Sequence, residues 1–353
     1  MLTEPDQDAQ PSNFSVPKLA DVATAAGVST ATVSRCLNSP DQVSKKTLAR
    51  VLSAVEQLGY APNFSARALA AKRTNTIGAI IPTMDNAIFA RGIQAFQEEL
   101  QKSGYTLLVA SSSYEPELEE EQIKTLTDRG ADALFLIGYR RSEHVYDYLA
   151  KRQIPYLIAW AFDPEAPHLA VGFNNRRAMR ALAQEVLARG HRQIGFITAD
   201  ISSNDRARDR VFGVKDALGD YGLADDAMTI EQTTYSIENG AEGFRALMRR
   251  SSRPSVVMCG NDVLAIGALK AAIELGMDVP AEVSITGFDD IELASVAPVA
   301  LTTVHVPHRR MGQCAAQTLI DLLHNRERIP SSIELPADVC FRDSLGHPGQ
   351  SSR

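Results

Sequence analysis

The segment from Lys18 to Asn38 constrains the fold of this chain more than any other stretch. It predicts two short amphipathic helices joined at Gly27, because apolar residues recur there at helical spacing. Those apolar residues are Leu19, Val22, Ala23 and Ala26, then Val28, Val33 and Leu37. Ser29 occupies an N-cap position directly after the glycine. The outer face of the second helix carries small, polar or cationic side chains, namely Thr30, Ala31, Ser34 and Arg35. This pattern is typical of a helix-turn-helix, whose second helix enters a DNA major groove.

The charge distribution supports a nucleic-acid-binding head on a different kind of body. The chain of 353 residues has a net charge of −7, which by itself disfavours DNA binding. Residues 18–73, however, hold eight Lys and Arg against three Asp and Glu, whereas residues 1–17 are acidic. A basic segment on an acidic remainder is typical of a DNA-binding module attached to a second module.

The cysteines and the N-terminus predict a cytoplasmic protein. Cys36, Cys259, Cys314 and Cys340 form no CxxC pair, which favours reduced thiols. The first residues lack the basic and apolar regions of a secretory signal. No apolar run approaches membrane-spanning length.

The pattern after Thr76 changes to apolar strands alternating with amphipathic helices. Predicted strands are 76–82, 105–111, 133–138, 155–159, 169–173, 193–198, 255–259, 283–288 and 302–306. This alternation predicts an α/β core of two doubly wound parallel-sheet lobes, with ligands bound at the carboxyl ends of the strands. The predicted organisation is a disordered tail at 1–16, a helix-turn-helix domain at 17–62, a short helix and linker at 63–75, a two-lobed core at 76–342 and a flexible tail at 343–353.

Ordered short motifs along the chain resemble the lactose-repressor (LacI/GalR) family of bacterial transcription regulators. They include Asp21-Val-Ala, Ala26-Gly-Val-Ser29, Leu58-Gly-Tyr60, Thr76-Ile-Gly78, Arg189-Gly-His191, Gly260-Asn-Asp262, Gly287-Phe-Asp-Asp290 and Leu301-Thr-Thr303. The segments 38–44, 114–121 and 170–174 are most similar to the gluconate-repressor branch. The resemblance implies a helix-turn-helix head and a core like that of periplasmic binding proteins, which binds an effector and dimerises.

The resemblance implies base contacts from Thr30, Ala31 and Arg35, since an Arg can pair with guanine and an Ala can touch a thymine methyl. It implies phosphate contacts from Ser29, Thr32, Asn38, Tyr60 and Asn63. The alternatives without DNA contact are that Ser29 only caps its helix and that Arg35 is a solvated charge. The resemblance also implies that residues 64–71 form a hinge helix, with Leu69 as an apolar wedge in the minor groove. The alternative is that Leu69 is a surface leucine on a linker helix.

The effector positions implied by the resemblance carry aromatic and polar side chains suited to a polyhydroxylated ligand. They are Phe89, Trp160, Phe173, Arg210, Tyr235, Asn261, Asp289 and His308. Trp160 could instead be plain core, Asp289 a loop or capping residue, and Asp262 the cap of the helix that follows Asn261. Arg210, with His308 nearby, makes a sugar acid plausible, although Arg210 also occurs in relatives that bind neutral sugars or purines.

Competing interpretations have less support. A solute-binding receptor needs an export signal and no helix-turn-helix, and an α/β enzyme would show motifs such as GxSxG or a P-loop, which this sequence lacks. No cofactor is indicated, and the spacing of His305 and His308 lacks a third metal ligand. We therefore expect a homodimer on a pseudo-palindromic double-stranded DNA operator, controlled by a sugar or sugar acid. A protein partner or phosphorylated metabolite is the alternative effector.

Overall fold

The computed structural model describes residues 16–61, 73–85, 87–325 and 330–349. The chain divides into two compact units, and the boundary in the sequence lies between Thr74 and Asn75. Of the predicted disordered tail at 1–16, residues 1–15 lie outside the described residues, as does most of the predicted hinge segment, including Asn63 and Leu69.

The described residues of the first unit form three α-helices, α1 (Leu19–Ala26), α2 (Thr30–Asn38) and α3 (Lys45–Leu58). Gly27 ends α1 with a φ of 60°, in the left-handed region that glycine adopts without steric cost. Ser44 caps α3, because its side chain accepts a hydrogen bond from the backbone N–H of Thr47 at 3.3 Å. A small core holds the helices together, formed by Val22, Ala23, Ala26, Val33, Cys36, Val51 and Ala54. The predicted helix-turn-helix architecture is confirmed.

The first lobe of the second unit is built on a parallel sheet. Its strands are β1 (Thr76–Ile81), β2 (Thr106–Ser111), β3 (Ala133–Ile137), β4 (Tyr156–Ala159), β5 (Ala170–Gly172) and β11 (Ile333–Glu334), in the order β11-β5-β4-β3-β1-β2. The helices of this lobe are α4 (Ala87–Lys102), α5 (Pro116–Asp128), α6 (Glu143–Lys151) and α12 (His308–His324). The strands β1 and β3 are fully buried, as expected for a sheet covered on both faces.

The second lobe repeats this architecture with a smaller sheet. Its strands β6 (Ile194–Thr198), β7 (Met228–Gln232), β8 (Val256–Cys259) and β9 (Ser284–Thr286) pair in the parallel order β7-β6-β8-β9. Its helices are α7 (Asn175–Ala188), α8 (Asp205–Asp220), α9 (Ile237–Met248), α10 (Asp262–Glu274) and α11 (Glu292–Val296). The chain passes between the lobes after β5, after β10 (Thr303–His305) and before β12 (Asp338–Cys340). The strands β10 and β12 pair antiparallel beside the two main sheets.

The C-terminal segment differs from the sequence prediction. Residues 343–353 were expected to form a flexible tail, but Ser344 is fully buried in the second lobe. Its Oγ accepts a hydrogen bond from Thr302 N at 2.9 Å, and its carbonyl accepts one from Ile285 N at 2.9 Å. Further along, His347 Nδ1 lies 2.9 Å from the carbonyl of Arg189. The prediction is wrong for 343–349, because these contacts are long-range and leave no periodic pattern in the local sequence.

Two expected absences concern membranes and metals. Among the described residues, no helix is long and apolar enough to cross a membrane. Within the same part of the chain, His, Cys, Asp and Glu form no group of three or more that could hold a metal ion. His305 instead pairs with Asp290, with its Nδ1 at 2.7 Å from the carboxylate Oδ2.

Candidate functional sites

The helix α2 presents the predicted DNA-contacting side chains on one accessible face. Ser29 is its N-cap, and the Ser29 Oγ accepts a hydrogen bond from Thr32 N at 3.1 Å. Val33 and Cys36 face the core, whereas Thr30, Ala31, Arg35 and Asn38 are exposed. Short side chains at the start of the helix leave its N-terminus open, where backbone N–H groups favour a phosphate.

Arg35 is available for an external partner. Its side chain is exposed and forms no ion pair with any residue that the structure describes. Asn38, one turn further on, donates from Nδ2 to Ser34 Oγ at 3.2 Å. Tyr60 is half-buried against the core of the first unit, with part of its side chain accessible.

A second candidate site lies between the two lobes of the second unit, which we call the interlobe cavity. The space between its walls, counted together with the open solvent at its mouth, is about 330 Å³. Its walls are formed by Ile88, Phe89, Tyr114, Trp160, Asn204, Arg206, Arg210, Tyr235, Asn261 and Asp289. These residues lie in α4, in α8 and in the segments that follow strands of both sheets. This is where open parallel sheets bind ligands, because the carboxyl ends of the strands leave a crevice there.

Arg210 is held in a fixed orientation at the base of the cavity. It is 6% exposed, and its guanidinium lies 3.9 Å above the ring centre of Phe288. Its Nε donates to Asn175 Oδ1 at 2.9 Å, and its Nη1 donates to the carbonyl of Gly260. Its Nη2 lies 3.6 Å from Asp289 Oδ1. The guanidinium is therefore aligned before any ligand binds.

Asp289 is the least satisfied group of the cavity. It is 1% exposed, and neither carboxylate oxygen accepts a hydrogen bond from any described residue. Burial raises the pKa of Asp289 to about 7, although Arg210 and Arg206 oppose that shift. Its backbone has a φ of 105°, a region that costs free energy for a residue other than glycine. A buried acceptor without donors in a strained loop is typical of a site that an external ligand completes.

Asn261 combines a structural and a cavity-facing role. Its Oδ1 accepts a hydrogen bond from Leu264 N at 2.9 Å and so caps α10, while its buried Nδ2 has no partner among the described residues. The suggestion that Asp262 is the cap is wrong. The Asp262 carboxylate turns inward and accepts hydrogen bonds from Ile291 N at 2.8 Å and Thr303 Oγ1 at 2.6 Å.

Aromatic rings from both lobes cover the remaining walls. The rings of Phe89 and Trp160 lie 5.4 Å apart in the first lobe. Tyr114 of the first lobe and Tyr235 of the second face each other, with ring centres 5.5 Å apart. Aromatic faces of this kind pack against the C–H surface of a sugar ring, while polar groups bind its hydroxyls.

Phe173 and His308 do not line the cavity. Phe173 is fully buried and stacks on Phe288, with the two ring centres 6.0 Å apart. His308 lies behind the wall, in contact with Trp160 and Asp289. Both residues therefore support wall residues and do not reach the enclosed space.

Ile88, Tyr114, Asn204 and Arg206 line the cavity but were absent from the sequence prediction. Two signals could have found some of them. Tyr114 follows a predicted strand at its carboxyl end, and Arg206 precedes Arg210 by one helical turn, which places both on one face of α8.

The lobes touch directly beside the cavity. Asp205 of the second lobe accepts hydrogen bonds through Oδ2 from the backbone N–H groups of Tyr139 at 2.5 Å and Arg140 at 3.2 Å. Arg206 donates to the carbonyl of Ile137 at 3.2 Å. Gly138 lies between these contacts with a φ of 71°, and a Cβ there would lie 1.9 Å from Arg206 Nη1. The absence of a side chain at Gly138 thus permits the lobes to approach.

Comparisons with known proteins match both units of the chain. The family described as "Bacterial regulatory proteins, lacI family" matches residues 18–63, and "Periplasmic binding protein-like domain" matches residues 183–345. The HTH-type transcriptional regulator DegA of Bacillus subtilis is 32% identical over 92% of this chain and 96% of its own length.

Solved structures show the same architecture. A LacI-family transcriptional regulator from Silicibacter pomeroyi matches with a TM-score of 0.85 and 31% identity, over 94% of this chain and 99% of that one. The lac repressor dimer bound to operator and the anti-inducer ONPF matches with a TM-score of 0.83 and 25% identity, over 94% of this chain and 100% of that one. Sequence identity along nearly the whole chain, the helix-turn-helix and the two-lobed core lead to one conclusion: this protein belongs to the lacI family of DNA-binding bacterial transcription regulators.

Proposed function

We propose that this chain is a cytoplasmic repressor whose operator affinity is set by a polyhydroxylated effector in the interlobe cavity. The observation that carries this proposal is the pairing of unsatisfied, buried polar groups with aromatic walls. The Asp289 carboxylate requires donors and the Asn261 Nδ2 requires an acceptor, and sugar hydroxyls supply both.

A sugar acid is the effector class that we favour. The guanidinium groups of Arg210 and Arg206, which pair with Asp289 and Asp205, line the second-lobe side of the cavity and can donate to a ligand. A ligand carboxylate can accept from these groups, while its hydroxyls donate to Asp289.

DNA recognition is assigned to α2. In this proposal Arg35 contacts a guanine edge, Thr30 and Ala31 contact neighbouring bases, and Ser29, Thr32, Asn38 and Tyr60 contact phosphates. Asn63 and Leu69, outside the described residues, keep their predicted roles at the phosphate and in the minor groove.

A homodimer is proposed for the assembled state. The edge strand β2 exposes Leu108 and Val109 in the first lobe, and the end of α10 exposes Ile273 and Leu275 in the second. Apolar side chains at an open sheet edge favour association with a second copy. The solved lac repressor that this chain resembles is a dimer on its operator.

The test uses the full chain in a thermal-shift screen against sugars, sugar acids, polyols, purines and phosphorylated sugars. A ligand at 100 times its Kd stabilises the protein by about 2.7 kcal/mol. We expect a sugar acid to raise Tm in the wild type and not in Asp289→Asn. Glu238→Gln is the matched control, because Glu238 is an exposed acid on α9.

Two outcomes would redirect this proposal. Stabilisation by phosphorylated sugars alone would replace the sugar acid as effector class. No stabilisation by any compound would favour a protein partner. In either case an operator obtained by in vitro selection with the full chain tests DNA binding separately.

A further inference from the structure

His308 occupies a position behind the cavity wall that gives each of its ring nitrogens one partner. It is the first residue of α12 and is buried. The indole Nε1–H of Trp160 donates to His308 Nδ1 at 3.2 Å, and the two rings are stacked at 6.0 Å with an angle of 24°. His308 Nε2 lies 3.1 Å from the backbone carbonyl of Asp289.

These two contacts define one tautomer. An indole N–H can only donate, so His308 Nδ1 carries no proton. A backbone carbonyl can only accept, so His308 Nε2 carries the proton. The ring is therefore neutral, which agrees with its burial, since burial lowers the pKa of His308 to about 4.

The two partners belong to different lobes and both face the cavity. Trp160 follows β4 in the first lobe, and Asp289 follows β9 in the second. Each has a left-handed backbone, with a φ of 59° at Trp160 and 105° at Asp289. Such conformations persist only where surrounding contacts hold them. His308 lies where the chain returns from the second lobe to the first, and so it can hold both.

The contacts continue into a closed ring around the base of the cavity. Asn175 Nδ2 donates to the carbonyl of Trp160 at 2.9 Å, and Asn175 Oδ1 accepts from Arg210 Nε at 2.9 Å. Arg210 Nη2 then lies 3.6 Å from Asp289. The ring thus passes from Arg210 through Asn175, Trp160 and His308 to Asp289 and back. A displacement of one member moves the donor or acceptor of the next.

We propose that His308 is a positioning residue that links the Trp160 side chain of the first lobe to the Asp289 loop of the second through hydrogen bonds. A ligand that displaces either one therefore also displaces the other. The ligand in this statement rests on the function proposed above. The coupling itself is a property of the free protein and is tested there, so that failure of the effector assignment leaves the test intact.

The first experiment uses the fact that Trp160 is the only tryptophan of the chain. The free full-length protein therefore gives a single indole N–H resonance in a ¹H–¹⁵N spectrum. His308→Leu removes the acceptor, and we expect the resonance to move upfield. His308→Gln restores the wild-type position, because its amide can accept from Trp160 and donate to Asp289. His324→Leu, at the far end of α12, is the control and should leave the resonance unchanged.

The second experiment tests whether a substitution in the first lobe changes backbone hydrogen exchange in the second. Trp160→Phe keeps an aromatic ring but removes the donor to His308. We expect backbone hydrogen exchange in the segment 287–291 to become about tenfold faster in Trp160→Phe and His308→Leu, and to stay at the wild-type rate in His308→Gln and His324→Leu. The factor corresponds to losing about one net hydrogen bond.

Three results would overturn the inference. One is an indole resonance that His308→Leu leaves in place, which would mean that the hydrogen bond is absent in solution. The second is unchanged exchange at 287–291 in Trp160→Phe, which would mean that the bond exists but has no effect across the cavity. The third is exchange in His308→Gln as fast as that in His308→Leu, because the glutamine amide retains both contacts.

Discussion

The helix α2 and the interlobe cavity place their functional groups in opposite environments. The proposed base-contacting residues Thr30, Ala31 and Arg35 are exposed on a helix that the small core of the first unit supports. The cavity residues Asn261 and Asp289 are buried, and they carry polar atoms without partners. The polar side chains of α2 lie at the surface, where water can bind them in the absence of DNA. The other is an interior that remains incomplete until a ligand enters.

This difference determines how each site responds to change. A surface side chain can be removed from α2 with little effect on folding, because it makes no contact that the helix needs. A cavity residue supports its neighbours as well as the ligand, and so its removal affects stability and binding together. Four variants test this contrast.

The largest effect is expected for Arg210→Ala. It leaves Asp289 without its buried counter-charge and removes the donor to Asn175. Loss of one partner from a buried ion pair costs about 3–5 kcal/mol. We expect urea denaturation, followed by the fluorescence of Trp160, to show this loss, together with abolished effector stabilisation. Arg245→Ala removes a surface pair with Glu274 and should cost under about 1 kcal/mol. Equal stability of the two variants would contradict the assignment of Arg210 as the buried counter-charge of Asp289.

Arg35→Ala should affect DNA binding alone. A bidentate contact between Arg and guanine contributes about 1–3 kcal/mol of discrimination, which is a loss of roughly 5- to 150-fold in operator affinity. The measurement is a fluorescence-anisotropy titration with a selected operator and with single-base variants of it. Selectivity should relax at one base pair, while Tm stays at the wild-type value. Arg50→Ala, which removes an exposed charge from α3 outside the proposed base contacts, is the control and should leave the selectivity at every base pair unchanged. A lower Tm in Arg35→Ala would contradict the expectation that this residue affects DNA binding and not folding.

Gly138→Ala tests whether the cavity must close. Its new Cβ would lie 1.9 Å from Arg206 Nη1 and 2.5 Å from Asp205 Oδ1, so these side chains must shift and the lobe contact that they make is disturbed. We expect about tenfold weaker effector binding by calorimetry. Gly104→Ala is a matched control, because Gly104 has a similar φ of 76° and open space around its Cβ. Both variants incur a backbone cost of about 1–2 kcal/mol. The same effector affinity in both would mean that lobe contact at Gly138 is unnecessary.

The smallest effect is the pH dependence that Asp289 contributes. Its pKa of about 7 in the folded protein lies above its ordinary value of 3.8. Between those values the folded state binds a proton that the unfolded state does not, so this group lowers the free energy of unfolding as pH rises from about 4 to 7. His308, with its lowered pKa, acts in the opposite direction over about pH 4 to 6.5.

The difference between wild type and Asp289→Asn removes the contribution of His308, which is common to both, and contains that of Asp289 together with its effect on the neighbouring Asp262. We expect the stability of Asp289→Asn, measured by urea denaturation of the ligand-free protein, to fall less over this range. Parallel stability curves for the two proteins would show that Asp289 ionises with an ordinary pKa. The buried Asp262, with a pKa raised to about 8 by burial and by Asp289, leaves some slope in both.

Several features of this protein were determined by the local sequence. Periodic apolar residues and the caps Ser29 and Ser44 specify the three helices of the first unit, since capping and amphipathicity act within a few residues. Most strands of the core were predicted too, because buried parallel strands are short apolar runs. The placement of Asn261 and Asp289 in one cavity was implied by the resemblance to the lactose-repressor family.

The tertiary structure alone decided which groups are satisfied. Ser344 looks like part of a polar tail, yet it is buried through hydrogen bonds to Thr302 and Ile285, more than forty residues away. Phe173 and His308 carry side chains suited to a ligand, but neighbours cover both. Whether a polar atom is left without a partner depends on every residue packed around it. That information is spread over the whole core, and no local pattern contains it.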